Sequence, residues 1–201
     1  MRQAGIASTN DKVHRMKKSL LALTLAASLG VAASASAAEG VSYNYVEGGY
    51  VASNLKDSPD ADGWAIGGSA AIAPNFHLFG NYSSQELDRS GFSIDNLRLG
   101  VGYNHQISQR MDLLTRVAYE RFETDIADFN GYSVEVGVRG ALTPMLEGYA
   151  LAGYEDGSDY DGDFYGRLGG QVKFNPNWGL TADVKFAGND TLWFVGPRFT
   201  F

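Results

Sequence analysis

Carboxylates offer the most suggestive spacing for chemistry in this 201-residue chain. The stretch DGSDYDGD sets Asp156, Asp159, Asp161 and Asp163 among glycines, a composition that suits Ca²⁺, which takes several oxygen ligands from a flexible loop. It lacks the full spacing and terminal bidentate Glu of an EF-hand. The four aspartates are therefore weak candidates for a metal, and the plainer reading is a solvated acidic loop whose charge opposes aggregation.

Nucleophilic chemistry fares worse. Beyond the N-terminal leader region the histidines are His77 and His105, both beside short turns and distant along their strands from Ser83 and Ser84, so a Ser-His pair within hydrogen-bond reach is not expected. There is no cysteine, and no Gly-x-Ser-x-Gly elbow, P-loop or His-Glu-x-x-His motif. The sequence names no catalytic residue and no cofactor.

A third set of charged residues has a different pattern. Glu47, Asp112, Glu120, Glu135, Glu147, Glu155 and Asp183 alternate with apolar neighbours, and so do Arg98, Arg116, Arg139, Arg167, Lys173, Lys185 and Arg198. Trp178, Leu180, Ala182, Val184 and Phe186 share one side of a run whose other side holds Thr181, Asp183 and Lys185. Tyr132, Val134, Val136 and Val138 likewise oppose Ser133, Glu135 and Arg139. A period of two is the mark of a strand.

The elements that position these charges follow from the turns. Pro74-Asn75, Ser108 to Arg110, Thr143-Pro144 and Pro176-Asn177 recur at near-even spacing, each flanked by two alternating runs, so the repeat is a hairpin. Adding a first strand, about Val41 to Ser53, and a last, about Leu192 to Phe201, predicts ten strands, with eight as the alternative. Longer polar stretches, including NLKDSPDAD, QELDRSGFSID, ETDIADFN, EDGSDYDGD and GND, separate the hairpins at the opposite end. Short turns at one end, longer loops at the other and an even strand number predict an all-β, antiparallel up-and-down transmembrane barrel.

The aromatics sharpen this. Trp64, Tyr82, Tyr119, Tyr132, Tyr154, Phe186 and Trp193 fall on the apolar face towards the loops, and Phe76, Tyr103, Phe174, Trp178 and Phe201 towards the turns. Two belts on one face match the girdles of a membrane barrel. The charged residues then face a narrow lumen, joined by bulky Phe79, Tyr149, Leu151, Tyr165 and Phe194, and must form a paired network because an isolated buried charge is costly. The register of the first strand is ambiguous, since placing both Tyr45 and Glu47 calls for a bulge or a mixed face.

The N-terminus supplies the address. Met16-Lys17-Lys18-Ser19 precedes an apolar run, Leu20 to Ala37, that closes on Ala35-Ser36-Ala37. This predicts a secretory signal peptide over 16–37 with cleavage after Ala37, a mis-assigned start or leader over 1–15, and a barrel over 38–201. Loss of Arg2, Lys12, Arg15, Lys17 and Lys18 against only Asp11 leaves the remainder more acidic than the whole chain's net charge of −7. Such a surface excludes nucleic acid as a partner.

The stretches VSYNYVEGGYV, DFNGYSVEVGVRGAL, EGYALAGYEDGSDYDGDFYGRLG and VKFNPNWGLTADVKF, with the GPRFTF end, resemble the Ax-type (Ax twenty-one) small outer-membrane proteins of xanthomonad bacteria. That resemblance implies release in membrane vesicles and links to biofilm, motility, virulence and quorum-sensing phenotypes. A terminal Phe on an alternating strand separately resembles the recognition signal of barrels inserted by the bacterial outer-membrane assembly machinery, which implies that role for Trp193, Phe199 and Phe201. Expected partners are outer-membrane lipid, lipopolysaccharide, that machinery and an external partner for the acidic loops. The expected function is non-enzymatic, with a small cation-preferring channel as the alternative and an outer-rim hydrolase third.

Overall fold

The computed structural model describes residues 37–56, 59–88, 91–125, 127–158 and 162–201. The expected leader and signal peptide lie outside them, Ala35 included, apart from Ala37. The strands are β1 (Tyr45–Asn54), β2 (Ala61–Ala73), β3 (Phe76–Leu87), β4 (Ser93–Ser108), β5 (Met111–Thr124), β6 (Asp128–Ala141), β7 (Leu146–Gly157), β8 (Asp163–Lys173), β9 (Trp178–Ala187) and β10 (Asp190–Thr200).

Each strand pairs antiparallel with its chain neighbours, and β1 closes on β10 from Tyr45↔Thr200 to Asn54↔Thr191. This is a closed ten-stranded up-and-down barrel, which leaves no sheet edge. The eight-strand alternative is excluded.

Alternation decides the faces. Outward, Ile66, Leu99, Val117, Val136 and Leu168 are exposed, with Val117 at 53%. Inward, Arg98, Asp112, Glu120, Glu135, Arg139 and Glu147 are buried. An apolar exterior around a charged interior inverts the soluble arrangement and is stable only in a bilayer. The protein is a transmembrane barrel, and for a bacterial single chain of this type that places it in the outer membrane, with the short turns on the periplasmic side.

Aromatic rings cap both ends of the lipid face. Trp64 and Tyr82 meet at 5.5 Å and Tyr154 and Phe164 at 5.1 Å near the outer end; Phe76 and Tyr103 meet at 5.1 Å and Trp178 and Phe199 at 5.0 Å near the turns.

Two sequence expectations need correction. Tyr45, Glu47, Val51 and Ser53 all face inward and Tyr50 outward, so β1 keeps strict alternation with no bulge or mixed face. The irregularities fall elsewhere, at Ala71/Ala73 in β2 and Gln106/Ser108 in β4, both beside periplasmic turns. The long outer loops are also shorter than the polar composition implies. GND is a tight link in which Asp190 already belongs to β10 and Gly188 supplies a positive φ of 56°. Polar side chains continue the alternation above the bilayer: Arg121 pairs with Glu123 and Asp128 at 3.0 Å, and Tyr119 donates to Asn130.

Inward glycines have a packing reason. Tyr149 lies directly across from Gly169, Tyr165 from Gly153, Phe79 from Gly100 and His77 from Gly102. A Cβ on Gly169 or Gly153 would come within 2.3 Å of the opposing tyrosine ring. The missing side chain lets each ring lie flat against the neighbouring strand, so a narrow barrel accepts bulky aromatics.

Candidate functional site

The lumen is built in three levels. At mid-height Glu135, 0% exposed, is the hub: its carboxylate lies 3.1 Å from Arg98, 3.7 Å from Arg167 and 3.9 Å from Arg116, and accepts a 3.0 Å hydrogen bond from the Tyr165 hydroxyl. Arg98 also pairs with Glu120 at 3.1 Å, and Arg167 with Asp183 at 2.8 Å, where Tyr149 donates as well. Arg116 and Arg98 lie over the Phe79 ring at 4.9 and 5.4 Å. At this level a void of about 20 Å³, room for about one water, lies between Phe79, Arg116, Tyr149, Arg167 and Arg198.

Flanking pairs extend the network. Glu47 meets Arg198 at 2.6 Å, Glu155 meets Lys185 at 2.5 Å, and Glu147 meets Arg139 at 2.5 Å and Lys173 at 3.2 Å. Each of these charges sits on the inward face that alternation assigns to it. In a low-dielectric interior, pairing plus hydrogen bonding is what makes such charges tolerable.

The periplasmic end is stoppered by residues 37–44, which the sequence reading placed partly in the first strand. The chain turns back at Gly40, φ 82°, with Val41 N–H donating to the Ala38 carbonyl at 3.0 Å. Tyr43, 1% exposed, then enters the lumen and packs on Leu114 and Leu151, with its ring stacked on His77 at 4.4 Å and the Arg139 guanidinium over that ring at 4.8 Å. Arg139 also donates to the Ser42 carbonyl at 2.9 Å, and Lys173 to the Gly40 carbonyl. Asn44 ties the segment to the wall through Ala71 N–H at 2.7 Å and Phe201 N–H at 3.1 Å. Asp112 binds beneath, accepting from the Tyr43 hydroxyl at 3.1 Å and from Ala38 N–H. No local pattern could have revealed this, because period-two reading makes Tyr43 one more inward strand residue.

Towards the outside the lumen opens into a cup of about 350 Å³. Its floor is the Arg98, Arg167 and Arg198 level, and its walls include Val51, Gln85, Phe122, Leu192 and Phe194. Both signs of charge and apolar surface line it, so the arrangement fits a small amphipathic guest better than a stream of hydrated ions.

The other candidates separate. Asp159 and Asp161 lie outside the described residues; Asp156 accepts from the Tyr132 hydroxyl at 3.3 Å, and Asp163 from its neighbour Phe164 N–H at 2.7 Å. Among the described residues no cluster of three metal-ligating side chains occurs. His77 is fully buried between Tyr43 and Phe79, at the end away from the acidic rim. Trp193, Phe199 and Phe201 share the outward face, with Trp193 and Phe201 exposed.

No family model and no curated protein matches this chain. Among solved structures, it is similar to the KdgM porin in complex with disordered oligogalacturonate (14% identity, 80% of this chain and 99% of that one, TM-score 0.44). It is also similar to Neisserial surface protein A (14%, 80% and 98%, 0.43) and to the translocator domain of the autotransporter NalP from Neisseria meningitidis (13%, 96% and 98%, 0.44). Likenesses this distant say nothing of ligand or activity, and the barrel stands on its own strand pairing.

Proposed function

We propose that this protein is a closed, non-enzymatic outer-membrane barrel that works through its outer cup and acidic rim, and not a diffusion pore. One observation carries the reading: the charge network at mid-height and the Tyr43 stopper beneath it close the lumen in succession, while the cup above them stays open. The rim presents Asp60, Asp62, Asp88, Asp125 and Asp128, which favours cationic groups on an external partner and divalent ions shared with lipopolysaccharide. Release in vesicles and a part in biofilm, motility, virulence or quorum-sensing phenotypes belong to the same proposal, on the resemblance alone. So does recognition of Trp193, Phe199 and Phe201 by the assembly machinery, to which their shared outward face lends support.

The test is planar-bilayer conductance of refolded 38–201, after a heat-sensitive folded band has been shown on a gel. Silence from folded protein is the expected result. Discrete steps would replace this reading with a small channel, which the acidic rim would make cation-preferring; neutralising Asp159, Asp161 and Asp163 should then weaken that preference.

A further inference from the structure

We propose that cleavage after Ala37 is a structural switch: the α-ammonium released on Ala38 seats on the buried Asp112 carboxylate and locks the stopper into the lumen.

Two independent features meet on one atom. The Ala35-Ser36-Ala37 pattern places the scissile bond between Ala37 and Ala38. The nitrogen of Ala38 lies 3.1 and 3.2 Å from the two Asp112 carboxylate oxygens, with Ala38 itself 1% exposed.

Asp112 is the exception in the lumen. The buried carboxylates are Asp112, Glu120, Glu135, Glu147 and Asp183, and all but Asp112 have a Lys or Arg partner. Among the described residues no Lys or Arg forms an ion pair with Asp112, although it is 0% exposed; Arg139, directly across from it, pairs with Glu147 instead. A buried carboxylate without a counter-charge is costly, and one backbone N–H shared between two oxygens plus the Tyr43 hydroxyl, both neutral donors, offset only part of that cost. An ammonium brings a full positive charge and three protons, enough to serve both oxygens.

The chemistry is ordinary peptide hydrolysis. Water adds hydroxyl to the Ala37 carbonyl carbon, the bond to the Ala38 nitrogen breaks, and that nitrogen takes the proton. At neutral pH the departing Ala37 end is a carboxylate and the new amine gains a second proton, being mostly ammonium there.

Processing thereby reinforces a closure whose neutral contacts are already made. Before cleavage Asp112 lacks its cation, and the segment 38–44 is held by neutral bonds from Ala38 N–H to Asp112 and from Glu39 N–H to the Gln109 carbonyl at 2.8 Å, together with Tyr43, Asn44 and the Arg139 and Lys173 contacts. After cleavage it is pinned at its first atom. This inference does not depend on what the cup binds.

The experiment starts from the full chain, exported and extracted from outer membranes. Intact mass fixes the N-terminus, and reductive dimethylation compares the α-amine with exposed Lys56 in folded and heat-unfolded protein. The expected result is a chain beginning at Ala38 whose amine is labelled roughly tenfold or more slowly when folded, while Lys56 is not protected. Asp112→Asn, which keeps the side-chain shape, should abolish that protection. Should that variant fail to fold, a Gly-Ser pair inserted between Ala37 and Ala38 keeps Asp112 and moves the amine away, and labelling should then be fast. A mature chain beginning elsewhere, an α-amine labelled equally fast in both states, or full protection in folded Asp112→Asn would each overturn the proposal.

Discussion

Arg98 on β4 reaches over β5 to Glu135 on β6, guanidinium to carboxylate at 3.1 Å, at a height where neither group meets bulk solvent. Arg116 and Arg167 approach the same carboxylate, so Glu135 is shared by three guanidinium groups. Glu135→Gln keeps the shape and removes that charge, leaving a cluster of like charges in a dry interior. The expected loss is about 3–5 kcal/mol, read as a lower urea midpoint for unfolding from lipid vesicles. Glu120→Gln, which faces Arg98 alone, should cost less. Equal stability of Glu135→Gln and the native chain would mean that the hub is not ionised as drawn.

Gly169 and Tyr149 test the packing that lets such a network fit. A Cβ at position 169 would lie 2.3 Å from the Tyr149 ring, which must then swing away and release Asp183. Gly169→Ala should cost about 1–3 kcal/mol by overpacking. Adding Tyr149→Ala removes the clash, so the double variant should lose less than the sum of the singles. Strict additivity would show that the ring was never in the way.

These two sites also show which features the sequence makes legible. That Glu135, Arg98 and Gly169 face inward follows from alternation along one strand, as does the outward row from Trp178 to Phe186. That Arg98 finds Glu135, or Tyr149 finds Gly169, depends on the register between strands, which no single strand encodes. The acidic stretches read as loops because their composition is polar, yet polar residues above a bilayer can keep alternating, and β5 and β6 run on to Thr124 and from Asp128. Tyr43 was hidden for a similar reason: period two cannot separate a residue on the wall from one folded into the lumen.

The lipid face makes its own demand. Val117 is outward and lies between the two aromatic belts, whereas Leu142 is outward beside a periplasmic turn. Val117→Arg should destabilise the barrel by about 2–4 kcal/mol and Leu142→Arg by about 0–1 kcal/mol, since the cost of a charge falls towards the interface. Reversible unfolding from vesicles measures both. Similar costs at the two positions would refute the bilayer placement.

Tyr43 gives the stopper a pH signature. Burial pushes its phenol well above the ordinary value; the Arg139 charge over the ring draws it back in part, and Asp112 adds to the rise. A group whose folded pKa is raised lends stability that is whole below its unfolded pKa, about 10 for tyrosine, and fades as pH climbs beyond it. Tyr43→Phe preserves the stack on His77 and removes the 3.1 Å bond to Asp112. Near neutrality the native chain should therefore be more stable by about 1.5–3 kcal/mol, the worth of a hydrogen bond to a charged group. As pH rises past about 10 that advantage should shrink, because the phenol is favoured for ionisation only in the unfolded chain. Urea midpoints of both proteins at neutral and alkaline pH measure the gap. A gap that stays constant through the alkaline limb would place the Tyr43 hydroxyl in water, and the stopper would then not be seated.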